Sequence, residues 1–264
     1  MRTPLLLAVA LLAAQDRTSE PRPLDIRPAE KGWEADGENV RRVLRAAAGE
    51  LWRYFPDRDL KPILVEAQGG PITLAARGAR GEYQVRLATG GTLWAQYTFQ
   101  FAHEFCHILC NYDEDPSRCK WFEEAICEVA SLFVLRRSGE TWKARPPYPN
   151  WKEYAKSLAE YADGRIKAAP LPAGKTLAEW YKENADALAA TAVDRERNTI
   201  AAVQLLPFLE KAPEHWEAVT WLNTEKLTPS HTLPEYLRAW RSNAPEKHRG
   251  FITDLAKALG VDLK

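Results

Sequence analysis

The stretch that most constrains this chain is an apolar run over residues 101–110 that carries two histidines four positions apart, His103 and His107. On an α-helix, side chains at positions i and i+4 lie on the same face, almost one above the other. Both imidazole rings then point in the same direction and can bind one metal ion. The spacing therefore predicts a helix with a candidate metal site on one face.

Glu104 follows the first of these histidines and completes the pattern His-Glu-x-x-His. On a helix it lies beside the histidine pair, where a carboxylate can take a proton from a metal-bound water molecule. The chain has only 5 histidines, so chance would produce this arrangement in roughly one such sequence in a hundred. The pattern predicts a zinc site with Glu104 as the general base.

The composition is that of a globular protein without a nucleic-acid-binding surface. The chain has 264 residues, 45% of them hydrophobic, which is enough for one sizeable core or a core with an added lobe. Basic and acidic residues balance at 36 each, so the net charge gives no electrostatic footprint for nucleic acid. We expect a monomer.

The N-terminus has the layout of a secretory signal peptide. A basic residue, Arg2, precedes about ten apolar residues and then small ones. We expect cleavage near Ala14 or Gln15, which predicts a signal peptide over residues 1–15 and a secreted or periplasmic protein. The apolar run is shorter than the roughly 20 residues that a membrane span needs, and no later stretch approaches that length. An uncleaved membrane anchor is the alternative.

One helix and three strands are predicted before the motif. Residues 16–35 carry prolines among charges without periodicity, which indicates an extended leader. Apolar residues then recur with helical spacing, so we expect a helix from Asp36 that ends before Pro56. Short apolar or alternating segments bounded by glycines predict strands over residues 61–67, 71–76 and 82–89.

Helices dominate the rest of the chain. The motif helix is expected over residues 93–110 and a second helix over residues 116–137. The acidic turn between them lacks the ligand spacing and the glycine of a calcium loop, so a helix-capping loop is the simpler interpretation. Helical spacing or caps recur after residue 139, over residues 151–161, 176–190, 194–209, 213–222, 233–240 and 245–259.

These elements predict an α+β fold in two parts. A catalytic lobe over residues 36–139 would hold a small antiparallel or mixed sheet, one helix and the two motif helices. A mostly helical C-terminal lobe would follow over residues 140–264. We find no internal repeat in the sequence.

The second helix opens with Trp-Phe-Glu-Glu-Ala, residues 121–125, and offers a third metal ligand. A catalytic zinc usually takes three protein ligands and leaves one position open. We prefer Glu124, because the small Ala125 after it allows close packing of the two helices. Glu128, one turn later, is expected to accept the ring N–H of a ligand histidine and fix its orientation. Glu123, about 100° away around the helix, is the alternative ligand.

His-Glu-x-x-His on one helix, followed by Trp-Phe-x-Glu-Ala on the next, resembles the gluzincin metallopeptidases, the thermolysin-like superfamily of zinc peptidases. The close resemblance covers residues 99–131. Outside that segment, the likeness lies in the order of the elements. The resemblance implies a zincin core in which Glu124 is the third zinc ligand and Glu128 supports a ligand histidine.

The resemblance also implies an activity and a substrate. Zn²⁺ held by His103, His107 and Glu124 would lower the pKa of its water and polarise the scissile carbonyl group. Glu104 would take the water proton and pass it to the leaving amine. The strand before the motif helix, residues 82–89, would lie at the edge of the cleft and pair with an extended peptide or protein substrate.

Two features of the related enzymes are missing or unassigned. The Gly-x-Met-Glu-Asn signature of the aminopeptidases in this superfamily is absent, which disfavours that type of exopeptidase. No motif assigns the residue that would stabilise the oxyanion. His231 and Tyr181 are the candidates, although a lone downstream tyrosine or histidine is more often structural.

All four cysteines, Cys106, Cys110, Cys119 and Cys127, lie in the motif region. An exported protein folds in an oxidising compartment, and an even count fits disulfide pairing. Of the three connectivities, we favour Cys110 with Cys119 across the loop and Cys106 with Cys127 between the helices. A cysteine-rich zinc site is less favoured because the spacing has no CxxC pair.

Other interpretations of the motif remain open. Two packed core histidines would need no metal, but the intervening glutamate, the acids on the next helix and the export signal all agree with a catalytic site. A secreted zinc-binding protein that recognises peptides without turnover would not need Glu104. A zinc hydrolase of a non-peptide amide would share every motif residue. The remaining histidines, His215 and His248, are expected to face solvent.

Overall fold

The computed structural model describes residues 23–112 and 117–263 of the chain. The described part is α+β and 59% helical, with a small mixed sheet, so the predicted fold class is confirmed at this level. The predicted signal peptide and most of the acidic turn over residues 111–116 lie outside the described residues. Within the described segments, no helix combines the length and the apolar character needed to cross a membrane.

The four strands form one sheet in the spatial order β1-β2-β4-β3. Their bounds are β1 Ile26–Pro28, β2 Ile63–Glu66, β3 Ile72–Leu74 and β4 Tyr83–Arg86. The pairs β1/β2 and β2/β4 are parallel, whereas β3 runs antiparallel to β4. Strand β1 lies within the predicted leader, where three residues without periodicity carry no strand signal; it forms because its backbone pairs with β2.

The strand order corrects the expected position of the substrate strand. The strand predicted over residues 82–89 contains β4, which is paired on both sides, so it lies inside the sheet and not at the cleft edge. Strand β3, beside β4, is the edge strand at this end of the sheet, and β1 is the edge strand at the other end. The chain enters β3 at Gly70, where an added Cβ would lie 2.2 Å from the carbonyl oxygen of Arg86. Only glycine allows this close approach of the two backbones.

The helices follow the predicted segments, with three differences. The segment Pro213–Trp221 is a 3-10 helix, as is the short Pro149–Trp151. The second motif helix continues to Ala144, and the helix predicted over residues 151–161 spans Tyr154–Ala168. The α-helices of the described residues are α1 Gly37–Trp52, α2 Trp94–Leu109, α3 Lys120–Ala144, α4 Tyr154–Ala168, α5 Leu177–Ala190, α6 Arg195–Lys211, α7 Leu233–Asn243 and α8 Glu246–Ala258.

Helix α3 is the centre of the fold. It packs against α1 and α2 on the N-terminal side and against α4 and α6 on the C-terminal side. Most of its residues are buried, and the exposed ones are mainly charged residues near its C-terminal end. An added Cβ at Gly139 would lie 3.2 Å from the Cβ of Ala159 on α4, so the two helices approach closely there. The predicted boundary at residue 139 therefore falls inside a helix that both parts share.

One histidine of the C-terminal part differs from expectation. His248 was expected to face solvent, but only 2% of its surface is exposed. Its Nδ1 lies 3.0 Å from Nδ1 of the half-buried His215, and its Nε2 lies 3.1 Å from Oε2 of Glu217. Burial lowers the pKa of both histidines. This cluster connects α8 to the 3-10 helix Pro213–Trp221.

Candidate metal centre

Helices α2 and α3 bring three predicted ligands together: His103, His107 and Glu124. Nε2 of His103 lies 3.2 Å from Oε2 of Glu124, and Nε2 of His107 lies 3.7 Å from the same oxygen. Nitrogen and oxygen ligands at ordinary zinc distances in a tetrahedron are about 3.4 Å apart. The three side chains therefore fit an ion such as Zn²⁺. Glu124, rather than Glu123, is the acid that faces both Nε2 atoms.

The other ring nitrogens contact two different acids. Nδ1 of His107 lies 2.7 Å from Oε1 of Glu123, which is a short hydrogen bond between buried groups. Nδ1 of His103 lies 3.7 Å from Oε2 of Glu128. That separation suits an ion pair but is too long for a direct hydrogen bond. Glu128 thus lies beside His103 without the hydrogen bond that was expected of it, and Glu123 is the acid in direct contact with a ring, that of His107.

A polar chain extends from His107 into the C-terminal part of the molecule. Nδ2 of Asn223 donates to Oε2 of Glu123 over 2.8 Å. The hydroxyl group of Tyr236 on α7 donates to Oδ1 of Asn223 over 2.6 Å. Both oxygens of the Glu123 carboxylate are therefore engaged, which fixes the side chain that orients the His107 ring.

The acid beside His103 is held from α4 and α6. Nη2 of Arg165 donates to Oε1 of Glu128 over 2.8 Å. Oγ1 of Thr199 lies 3.1 Å from the same oxygen and 2.7 Å from the backbone oxygen of Arg195, so its one proton is donated to one of them at a time. The guanidinium group of Arg165 also lies over the ring of Phe99, 4.5 Å from its centroid. These contacts fix one oxygen of Glu128, while the other faces the histidine.

The electrostatics of the centre favour charged forms of both partners. Burial acts to lower the pKa of His103, but contacts with Glu124 and Glu128 outweigh it and raise that pKa to about 9. Burial is likewise outweighed at His107, where Glu123 and Glu124 raise the pKa well above 6.5. The two histidines in turn hold the pKa of Glu124 well below its ordinary value, against the effect of burial. A cation bound here would replace these protons.

Glu104 is buried beside the centre and is held by the edge strand. Oγ1 of Thr73 on β3 lies 2.9 Å from Oε2 of Glu104 and 2.9 Å from its backbone oxygen. A hydroxyl group has one proton, so Thr73 donates to one of these oxygens at a time. This contact joins the sheet to α2 and sets the position of the Glu104 carboxylate.

A cavity of about 760 Å³ opens over the centre. His103, His107, Glu104 and Glu124 all line it, and the edge strand β3 forms part of its wall. The opposite wall comes from α4, the start of α6 and the residues before α6.

Neither predicted oxyanion residue belongs to this cavity. The ring of Tyr181 stacks on Trp121 with centroids 5.5 Å apart, and Nδ1 of His231 accepts from the backbone N–H of Thr228 over 2.9 Å. Both side chains are therefore engaged elsewhere in the fold. The tyrosines that line the cavity are Tyr112 and Tyr161.

The predicted disulfides are not formed, because none of the four cysteines is in a disulfide bond. Cys119 lies at the start of α3, where its Sγ donates to the backbone oxygen of His231 over 3.3 Å, away from Cys110. The Sγ atoms of Cys106, Cys110 and Cys127 come together instead, all within 4.8 Å of one another. The pairs Cys110–Cys119 and Cys106–Cys127 are thus replaced by a cluster of three thiols.

Several residues that support the centre carry no signal in the sequence. Thr73, Arg165, Thr199, Asn223 and Tyr236 lie far from the motif along the chain, and no spacing relates them to it. The sequence did indicate a role for Glu123, but as an alternative metal ligand and not as the support of a histidine. Comparisons with known protein families, with curated proteins and with solved structures found no match.

Proposed function

We propose that this protein is an exported zinc metallopeptidase with a gluzincin-like core formed by α2, α3 and the small sheet. The observation that carries the proposal is the approach of two histidine Nε2 atoms to one Glu124 oxygen, beside a cavity that Glu104 also lines. The predicted signal peptide supports the exported location. The resemblance of the two motif helices to gluzincins supports the reaction type.

The residues present fit the metal that the motif implies. When bound, Zn²⁺ supplies Lewis acidity toward water and toward the scissile carbonyl group. His103, His107 and Glu124 would hold the ion, since their ligand atoms lie within 4.8 Å of one another. Glu123 and Glu128 would keep the two rings oriented through their Nδ1 atoms.

Glu104 would act as the general base and then as the general acid. Its carboxylate takes a proton from the attacking water while the new C–O bond forms at the substrate carbonyl carbon. It then gives that proton to the amide nitrogen as the C–N bond breaks, which releases an amine and a carboxylic acid. The hydrogen bond from Thr73 keeps one carboxylate oxygen in place.

Strand β3 is the part of the cavity wall that an extended peptide would pair with. It lies at the edge of the sheet, and its outer side has no partner among the described strands. Ile72 on β3 and Val193 on the opposite side both line the cavity, with 42% and 64% of their surfaces exposed. Exposed apolar side chains around a cavity favour apolar substrate groups. A peptide added to this edge would bring its backbone past the metal centre.

The test is a comparison of the wild-type protein with Glu104→Gln. We expect the purified mature wild type to contain zinc and to cleave members of a broad peptide library. Glu104→Gln should retain zinc and lose activity by about 10²–10⁴-fold, the usual contribution of a general base. Glu140→Gln is the matched control, because this exposed glutamate of α3 lies outside the cavity and its loss should leave activity unchanged.

Each other result identifies an alternative. Zinc binding without any cleavage that Glu104→Gln abolishes would favour a peptide-recognising protein without turnover. Cleavage of non-peptide amides alone, lost in Glu104→Gln, would favour a zinc hydrolase of another substrate class. If the wild-type protein binds no zinc, His103 and His107 have a structural role instead.

A further inference from the structure

Three thiols meet between α2 and α3, next to the histidine site but outside it. Cys106 and Cys110 are four positions apart on one face of α2 and its C-terminal cap, and Cys127 faces them from α3. All three side chains are 0% exposed. The Sγ atoms of Cys106 and Cys110 are 3.9 Å apart, and Cys127 Sγ completes a group within 4.8 Å.

We propose that Cys106, Cys110 and Cys127 form a second metal site, which takes a thiophilic ion such as Cu⁺, Zn²⁺ or Cd²⁺ as a three-thiolate complex. Three sulfurs at about 2.3 Å from one ion are about 3.8 Å apart in tetrahedral geometry and about 4.0 Å apart in a trigonal plane. The 3.9 Å separation of the Cys106 and Cys110 Sγ atoms lies in this range. Soft sulfur ligands select this class of ion over the hard cations that prefer oxygen.

Charged groups of both signs lie near the cluster, since the Glu123 carboxylate, paired with His107, is within 4.8 Å of Cys127 Sγ. Three thiolates with one divalent ion carry a single net negative charge, and a buried charge needs a nearby compensating group. Arg58 supplies it, since Nη2 donates over 3.0 Å to the backbone oxygen of Ile108 and Nη1 donates to that of Leu109. These carbonyl groups directly precede Cys110, so the guanidinium group lies at the end of α2 beside the thiols.

The cluster lies behind one of the histidine ligands. The Sγ of Cys127 is also within 4.8 Å of ligand atoms of His107 and Glu123. The two sites are therefore neighbours with different chemistry, nitrogen and oxygen in one and sulfur in the other. This difference allows them to be distinguished by spectroscopy in the same molecule.

Cadmium is the probe that tests the proposal, because a cadmium–thiolate complex has an ultraviolet charge-transfer band that nitrogen and oxygen ligands do not produce. The full chain would be produced in reducing medium with cadmium, since the thiols are buried. We expect one thiolate-bound cadmium per chain. Cys127→Ala and the closer isostere Cys127→Ser should both weaken the band, because only two thiolates then remain. Cys119→Ala should keep it, because Cys119 is the matched cysteine outside the cluster.

Cadmium-113 NMR needs only the wild-type protein, so the result does not depend on whether a variant folds. The chemical shift reports the number of sulfur ligands. A shift typical of three sulfurs is expected. A wild type with no sulfur-bound cadmium, a band that is as strong without Cys127 as with it, or a disulfide between two of the three cysteines in the mature protein would overturn the proposal. His103→Ala should lose peptidase activity yet keep the band, so failure of one site is distinguishable from failure of the other.

Discussion

His103 and His107 occupy equivalent positions in one motif, but the regions that support them differ. The His107 side chain is 6% exposed and lies 2.7 Å from Glu123, whose second oxygen is held by Asn223. The His103 side chain is 19% exposed and lies 3.7 Å from the acid beside it. The motif spacing determines that both rings face one metal position. The contacts from distant elements determine how firmly each ring is held, and they make His107 the better anchored ligand.

The largest effect that we expect is on the pH dependence of zinc binding. Without metal, the acids beside the rings raise the pKa of His103 to about 9 and that of His107 well above 6.5. Because the pKa of His103 is higher in the fold than in the unfolded chain, its protonation stabilises the metal-free fold. This contribution is fully present below pH 6.5 and is lost as the pH rises through about 9. Zinc displaces the same protons, so its affinity should rise across this window by about tenfold per pH unit for each proton displaced.

Competition with a chelator at several pH values would measure this dependence, and NMR of the metal-free protein would separate the two rings. We expect both rings to titrate above pH 6.5. An affinity that stays constant between pH 6.5 and 9 would contradict the prediction, because it would mean that both rings are already neutral.

The next largest effect should come from Glu123→Gln, which removes the charge that orients His107. Outer carboxylates that hold a ligand histidine contribute about 10–100-fold in metal affinity. We expect a loss in that range, measured by competition with a chelator at one pH. Glu140→Gln on the same helix serves as the control, since its side chain is exposed and pairs with Lys143.

Glu128→Gln should weaken zinc binding less, by no more than about tenfold, because the carboxylate is farther from its histidine. The amide can still accept from Arg165 and Thr199, so the local fold should be preserved. If Glu128→Gln weakens zinc binding more than Glu123→Gln does, the order of the two supports is reversed and His103 is the anchored ligand.

The contrast between the two histidines also shows what the sequence could predict. The shared face of His103 and His107 follows from helical spacing, which is a local property that neighbouring residues determine. The approach of Glu124 depends in addition on the packing of α3 against α2. Local spacing also made the helices themselves predictable, as α2 and α3 show. The edge position of β3 was not, because strand order depends on pairing between segments and not on the pattern within one strand.

The supports of the centre depend on contacts that no local pattern encodes. Thr73 reaches Glu104 across 31 positions of the chain, and Asn223 reaches Glu123 across 100 positions. The cysteines show the same limit, since an even count and an exported setting suggested disulfides, whereas helix packing brings three thiols together. Residue type and spacing thus predicted which residues come together as candidate ligands, but not the contacts that hold or surround them.

The smallest effect should come from the far ends of the two polar chains. Tyr236→Phe removes the hydroxyl group that donates to Asn223, and the net loss of such a hydrogen bond costs about 1 kcal/mol of unfolding free energy. Because Asn223 holds Glu123, which orients His107, zinc affinity should also fall a few-fold. Thr199→Val removes the hydroxyl group that is shared between Glu128 and the backbone oxygen of Arg195, and should cost similar stability with less effect on zinc. Denaturant unfolding together with chelator competition would measure both quantities for each variant. Equal zinc affinity in the two variants would show that anchoring of His107 does not extend beyond Glu123.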